Sequence, residues 1–237
     1  MKFEVCAVNL ASALAAQRAG AHRIELCTSL DSGGLTPSVG LLRAVLNALD
    51  LPVHVLIRVR EGDFIYTEAE KNILLEDIRF CRTEGAAGVV VGALTADHRL
   101  DLDFLGHCRD AAGDLALTCH RAFDFTRSPE ASLEALIGLG FDRVLSSGQA
   151  ATAFEGRFLL QKLVAQAAGR IAVMPGGGIT AQNIRTILEF TGAQDAHFTG
   201  KKKVASSGGG TLPGLELWHW ESDEAEIRAI CANALSA

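Results

Sequence analysis

The chain has 237 residues, 49% apolar and 21% charged, with a formal net charge of −6. That length buries a sizeable core, and the hydrophobicity excludes a disordered chain. The acidic balance supplies no global field for nucleic acid or an anionic membrane, so neither is expected as a partner.

From the N-terminus, strand-like runs alternate with helical patterns. The strands are predicted at 3–8, 22–27, 53–58, 88–92, 115–120, 142–146, 170–174 and 193–198. Several are nearly continuous in Val, Ile and Leu, as parallel strands covered on both faces are. Helices are predicted near 10–19, 38–49, 67–84, 101–112, 129–138, 155–168 and 180–190, with a last one at 222–235. Ser12 or Asn9, the Thr36-Pro37-Ser38 run, Thr67 and Thr180 read as helix caps. Gly20, Gly85, Gly140, Gly169 and Gly192 fall between helix and strand, where a left-handed residue ends a helix. Evenly spaced βα units with no break in composition predict one domain, an α/β fold of (β/α)₈ TIM-barrel type, over a doubly wound open sheet. The stretch 200–220, with Lys201-Lys202-Lys203 and a Ser/Gly run, fits no unit and reads as a loop.

The first residues, Met1-Lys2-Phe3-Glu4-Val5-Cys6, carry an acid where a signal peptide would be apolar. No uncharged run approaches the roughly 20 residues that span a bilayer. A cytoplasmic location without membrane contact is therefore expected. The six cysteines are scattered without a CxxC pair, which suits buried small residues in a reducing compartment.

Barrel active sites sit at the C-terminal strand ends. The first two strands each carry Glu-x-Cys, Glu4 with Cys6 and Glu25 with Cys27. The two-residue strand period puts each Glu and Cys on one face. With strands about 4.8 Å apart, the thiols can meet. They suit Cu(I), or they pack the barrel top as small apolar groups. No local His/Cys/Cys spacing marks a zinc site. Arg58, Arg60 and Arg121 gather at the rim, where they either clamp a carboxylate or phosphate or close a salt-bridge network. His120 is a candidate general acid or base, with Glu25 or Asp124 as its partner in proton transfer. Ser147-Gly148 and Gly176-Gly177-Gly178 follow strands and are candidates to bind an anion through backbone amides.

The chain resembles the CutC family over at least residues 3–198. The resemblance rests on Glu4-Val5-Cys6, Arg23-Ile24-Glu25-Leu26-Cys27, Gly33-Gly34-Leu35-Thr36-Pro37-Ser38, Ile57-Arg58-Val59-Arg60-Glu61-Gly62-Asp63-Phe64, His120-Arg121-Ala122-Phe123-Asp124, Arg143-Val144-Leu145-Ser146-Ser147-Gly148 and Met174-Pro175-Gly176-Gly177-Gly178-Ile179. It implies a (β/α)₈ barrel in the cytoplasm, self-association as a dimer or tetramer, and a role in copper homeostasis. The copper ligands it implies are Cys6 and Cys27. Val59 and Glu61 replace the usual Pro and Gly, Cys119 replaces Phe, and the region after His197 departs from the family pattern.

Two functions follow as expectations. One is binding of copper as Cu(I) by Cys6 and Cys27. The other is an enzyme for a small anionic metabolite, whether or not phosphorylated. There the glycine loop and the arginines hold the anion, and His120 with Glu25 or Asp124 moves protons.

Overall fold

A computed structural model describes residues 1–205 and 217–235. Eight parallel strands form its centre: β1 (Lys2–Ala7), β2 (Arg23–Leu26), β3 (Val53–Leu56), β4 (Gly88–Val91), β5 (Ala116–Cys119), β6 (Arg143–Ser146), β7 (Ala172–Pro175) and β8 (Asp195–Phe198). They pair in the order β7-β6-β5-β4-β3-β2-β1-β8. A single parallel bridge, Gly176 to His197, joins the two ends and nearly closes the barrel. Each strand is short, four residues in all but β1, so the chain beyond it is free to build the mouth.

The helices α1 (Leu10–Arg18), α2 (Val39–Ala48), α3 (Glu68–Thr83), α4 (Leu102–Ala112), α5 (Pro129–Gly138), α6 (Arg157–Ala167), α7 (Ile184–Thr191) and α8 (Glu224–Leu235) surround it. Outward strand residues such as Val5, Ile24, Val55, Val89, Leu117 and Val144 share one apolar core with Leu42, Leu74, Leu105 and Leu133 of the helices. Neighbours in parallel register point to the same face. Glu4 lies in register with Arg23 and His197, Cys6 with Glu25, Glu25 with His54, and Thr118 with Arg143. The barrel interior is therefore strongly polar near its β8–β1–β2 wall.

Local chemistry explains the helix starts. Asn9 accepts from the Ser12 amide at 2.8 Å, and Ser38 accepts from the Leu41 amide at 3.2 Å. Thr67 and Glu70 form a reciprocal capping box. Thr180 does not cap a helix. Its amide donates to Asn183 Oδ1 at 2.9 Å, and Asn183 Nδ2 donates to the Gly178 carbonyl at 2.8 Å. The Asn183 carboxamide thus ties residues 178–183 into a turn, and α7 begins only at Ile184.

The expected loop at 200–220 is in part a β-ribbon. Strand β9 (Lys201–Ala205) pairs antiparallel with β10 (Trp218–Ser222). Residues 206–216, which hold the Ser/Gly run, lie outside the described residues. Alternation builds the ribbon: Lys203 Nζ sits 3.9 Å from the Trp218 ring centre and Lys201 Nζ 4.0 Å from that of Trp220. It is fastened to the barrel by Trp220 Nε1 to Asp31 Oδ1 at 2.9 Å and by the Ser222 amide to Ser12 Oγ at 2.9 Å. Among the described residues, no helix is long and apolar enough to cross a membrane.

Gly88 leaves room for His54 inside the barrel. A Cβ at this position would lie 2.7 Å from the Ala116 carbonyl oxygen and 2.8 Å from His54 Nε2. One neighbour is backbone and the other is a buried ring. Gly88→Ala is expected to lower stability by about 1–3 kcal/mol, the usual cost of overpacking. Urea denaturation reads this as a lower midpoint at unchanged slope.

Candidate functional site

The strand ends of β8, β1 and β2 deliver one compact group. Cys6 Sγ and Cys27 Sγ lie 3.3 Å apart, and both residues are buried. Ligand atoms of Cys6, Glu25 and His197 all fall within 4.8 Å of one another. Below them, Glu4 is fully buried. Its Oε1 meets His197 Nδ1 at 2.8 Å, and its Oε2 accepts from Arg23 Nε. Arg23 reaches on to Asp195 Oδ2 at 3.3 Å. The second ring nitrogen of His197, Nε2, lies 3.6 Å from Glu25 Oε2.

Charge settles unevenly over this group. Burial pushes the Glu4 carboxyl up, but the hydrogen bond from His197 and the Arg23 charge outweigh it and hold Glu4 well below the usual carboxylate range. Burial likewise opposes charge on His197, yet Glu25, Cys6 and Glu4 together raise it well above the ordinary imidazole value. Glu25, without an arginine in contact, is raised by burial and only partly relieved by His197. The Cys6 thiol is pushed up by its contact with Cys27 and by burial. His54 Nδ1 lies 3.9 Å from Glu4 Oε2, but burial brings its value down to about 3 and keeps it neutral.

A second group gathers at the ends of β5, β6 and β7. The Asp124 carboxylate accepts from Ser146 Oγ at 2.5 Å, from the Ser147 amide at 3.0 Å and from Arg121 Nε at 2.9 Å. Arg121 Nη2 also donates to Ser147 Oγ at 2.8 Å. The Gly148 amide is engaged by Ser146 Oγ at 2.8 Å. Gly176 donates to the Ser146 carbonyl at 2.9 Å. Gly177 and Gly178 adopt φ of +97° and +70°, which glycine alone adopts freely. Among the described residues their amides have no hydrogen-bond acceptor. A Cβ at 177 would stand 3.3 Å from Arg121 Nη1, so backbone and guanidinium share one small space.

Two of the rim arginines are engaged in holding loops. Arg58 donates to the carbonyls of Ser32 at 2.7 Å, Gly34 at 3.1 Å and Gly62 at 2.8 Å, and stacks 4.9 Å from the Phe64 ring centre. Arg60 binds Glu70 Oε1 at 2.5 Å and Asp63 Oδ1 at 3.1 Å, with further bonds to loop carbonyls. His120 follows β5, its ring 4.9 Å from that of Phe64 and against Gly92. Its Nδ1 accepts from the Ala122 amide at 3.1 Å, which places the neutral ring's proton on Nε2. Burial, then the Arg58 charge, lowers its value to about 3. His120 therefore offers a fixed N–H donor at neutral pH.

Sequence reasoning singled out Cys6, Cys27 and Glu25 but left His197 and Arg23 without a role. Arg23 was visible between Glu4 and Glu25 as a charged residue in an apolar strand. His197 carried only the signal of a lone polar side chain near the end of a strand.

Comparison with known proteins gives a consistent picture. The model of the CutC family matches residues 1–202. A CutC family protein of Pasteurella multocida is 46% identical over 201 residues, covering 85% of this chain and 82% of that protein. The human copper homeostasis protein cutC homolog is 47% identical over 195 residues, 82% of this chain and 71% of the human one. The crystal structure of the Streptococcus agalactiae CutC protein superposes with a TM-score of 0.80 at 34% identity, covering 83% of this chain and 97% of that one. Phosphoribosyl anthranilate isomerase of Thermotoga maritima matches at a TM-score of 0.62 over 99% of this chain and 98% of that one, but at 15% identity this shows the barrel fold alone.

Buried neutral histidines have a consequence for pH. Unfolded, His54 and His120 protonate near about 6.5; folded, they do so near 3. The folded state binds fewer protons between those values. Their contribution is thus complete above the unfolded value and is lost as pH falls towards the folded one. His120→Phe is expected to remove about 1.4 kcal/mol per pH unit from the slope of stability between pH 6 and 4. An unchanged slope in chemical denaturation would show that His120 is charged or exposed.

Proposed function

The chain belongs to the CutC family, and from that premise we propose that it binds copper as Cu(I) between the thiols of Cys6 and Cys27, in the cytoplasm. The observation that carries this is the 3.3 Å approach of the two sulfurs at the end of β1 and β2. Soft sulfur ligands in low coordination number suit Cu(I). The register supports a metal over a disulfide. Cys6 pairs with Glu25, so Cys27 lies two residues further along the neighbouring strand. Strand spacing and rise put such diagonal Cα atoms about 8 Å apart, beyond the roughly 7 Å that a disulfide spans without backbone movement. The sulfurs can touch while their backbones resist cross-linking. The family name and the names of the human and mouse relatives point the same way. Self-association belongs to the same reading. It is supported by Phe158, 58% exposed beside Phe190 on the outer surface.

A second reading has its own observation. The amides of Gly177 and Gly178 beside Arg121 form a cradle for an anion. In this reading the chain acts on a small anionic, phosphorylated metabolite. Gly177, Gly178 and Arg121 hold the anion, because the amides of Gly176 and Ser147 are already engaged; Asp124 and Ser147 position Arg121, and His120 Nε2–H with Glu25 faces the reacting group. Arg58 and Arg60 then serve by fixing the loops around it.

Each reading has its experiment. Cys6→Ser with Cys27→Ser is expected to weaken Cu(I) binding by more than about 100-fold, beyond what loss of a hydrogen-bond partner to a ligand costs. Competition against a Cu(I) chelator measures it, and wild-type affinity in the double variant sinks the copper reading. For the anion, Gly177→Asp puts a carboxylate in the cradle on a strained backbone. It is expected to abolish binding of phosphorylated metabolites in a calorimetric screen. A screen in which wild type binds none of them removes the second reading.

A further inference from the structure

Resting on the copper reading, we propose that His197 supplies a third metal ligand: its Nε2 joins Cys6 and Cys27 in a two-sulfur, one-nitrogen site, and Glu4 positions it. The argument begins at the other end of the imidazole. His197 Nδ1 lies 2.8 Å from Glu4 Oε1. Glu4 has no exposed surface, and its second oxygen is held by Arg23, so it is present as a carboxylate that accepts from Nδ1–H. That bond fixes the orientation of the ring, and a metal at Nε2 displaces the proton that Glu25, Cys6 and Glu4 favour on the imidazole.

There the ring approaches Cys6: ligand atoms of His197, Cys6 and Glu25 lie within 4.8 Å of one another. Cys6 Sγ in turn lies 3.3 Å from Cys27 Sγ. The nearest carboxylate oxygen, Glu25 Oε2, stands at 3.6 Å from Nε2, longer than a well-formed N–H···O bond. A histidine kept only for structure would turn its second nitrogen to a close oxygen. Here the carboxylate stands off at that distance, and Cys6 lies in the same 4.8 Å group.

The support behind the ring has the form that metal-binding histidines use. A carboxylate on the far nitrogen fixes the tautomer and raises the basicity of the near one. Glu4 is itself held by Arg23, and Arg23 by Asp195 and by Met174 Sδ at 3.3 Å. Ligands from β1, β2 and β8 converge where the barrel closes, so the site is built on strands and not on mobile loops. Two sulfurs and one imidazole are a donor set that suits Cu(I). Glu25, whose carboxylate lies in the same 4.8 Å group, adds negative charge beside these softer donors.

The test uses the full chain. In ¹⁵N-histidine-labelled protein, Ag(I) serves as a redox-inert stand-in for Cu(I). The His197 Nε2 resonance is expected to shift and to split by coupling to silver, while Nδ1 keeps its proton. X-ray absorption of the Cu(I) form is expected to show two sulfurs and one nitrogen. His197→Gln should lose the nitrogen and weaken Cu(I) binding about 10–100-fold. Glu4→Gln should keep the nitrogen while weakening binding, a separation that general damage to the fold would not produce. If silver leaves Nε2 unshifted, or the wild-type copper form shows sulfur alone, the inference is overturned. That outcome is distinct from failure of the copper reading itself, in which the double cysteine variant keeps wild-type affinity.

Discussion

Glu4 holds Arg23 with one carboxylate oxygen and His197 with the other, deep inside the barrel. An ionised carboxylate without water is tolerable only when paired and hydrogen-bonded. Removing one member of such a buried pair typically costs about 3–5 kcal/mol, because the remaining charge is stranded. The three residues lie on β1, β2 and β8, and β8 is the strand whose link to β7 is a single bridge. The same contacts therefore fasten the weakest seam of the barrel and set the floor of the candidate metal site. Asp195 extends the pairing by balancing Arg23, and Arg143 lies 3.8 Å from it. His54, surrounded by these formal charges, stays neutral because burial outweighs the attraction of Glu4.

The rim shows how poorly a count of arginines measures appetite for a ligand. Strands of four residues end before the mouth does, so the loops beyond them lack a ladder of backbone bonds. Arg58 replaces that ladder by gathering carbonyls from two loops under one guanidinium. Arg60 does the same around Asp63 and Ile65 and secures the start of α3 through Glu70. Glu70 is at once a capping-box acid and the partner of Arg60. Arg121 differs. Its Nε and Nη2 are engaged by Asp124 and Ser147, while Nη1 is turned towards Gly177.

The barrel was legible because its signal is local and repeated. Apolar strands, helix caps and glycine turns recur along the chain, and each occurrence corrects errors in the others. The cysteine pair was legible for a related reason: the two-residue strand period and the spacing of neighbouring strands decide which side chains can meet. His197 was not. It reaches Glu4 across 193 residues of sequence, through the closure of the barrel, and a search for closely spaced Cys and His ligands has no access to such a contact. Thr180 misled because a hydroxyl before a helical pattern reads as a cap, whereas the Asn183 side chain had already claimed that turn. The ribbon was hidden because its two strands are separated by a long polar stretch, and the lysines read as solvated until paired with tryptophans.

The two candidate chemistries occupy one mouth but opposite fields. The β8–β1–β2 sector carries Glu4, Glu25 and Asp195 against Arg23, with Glu25 in contact with no arginine. A cation entering there gains from Glu25, and an anion is repelled by it. The β5–β7 sector presents unpaired backbone N–H groups and a guanidinium edge, with the acid Asp124 already saturated by its own bonds. An anion gains there. Gly176, bridged to His197 and lying between Leu145 and His197 in space, is where the two sectors touch. The division of charge sorts ligands by sign before any shape is read.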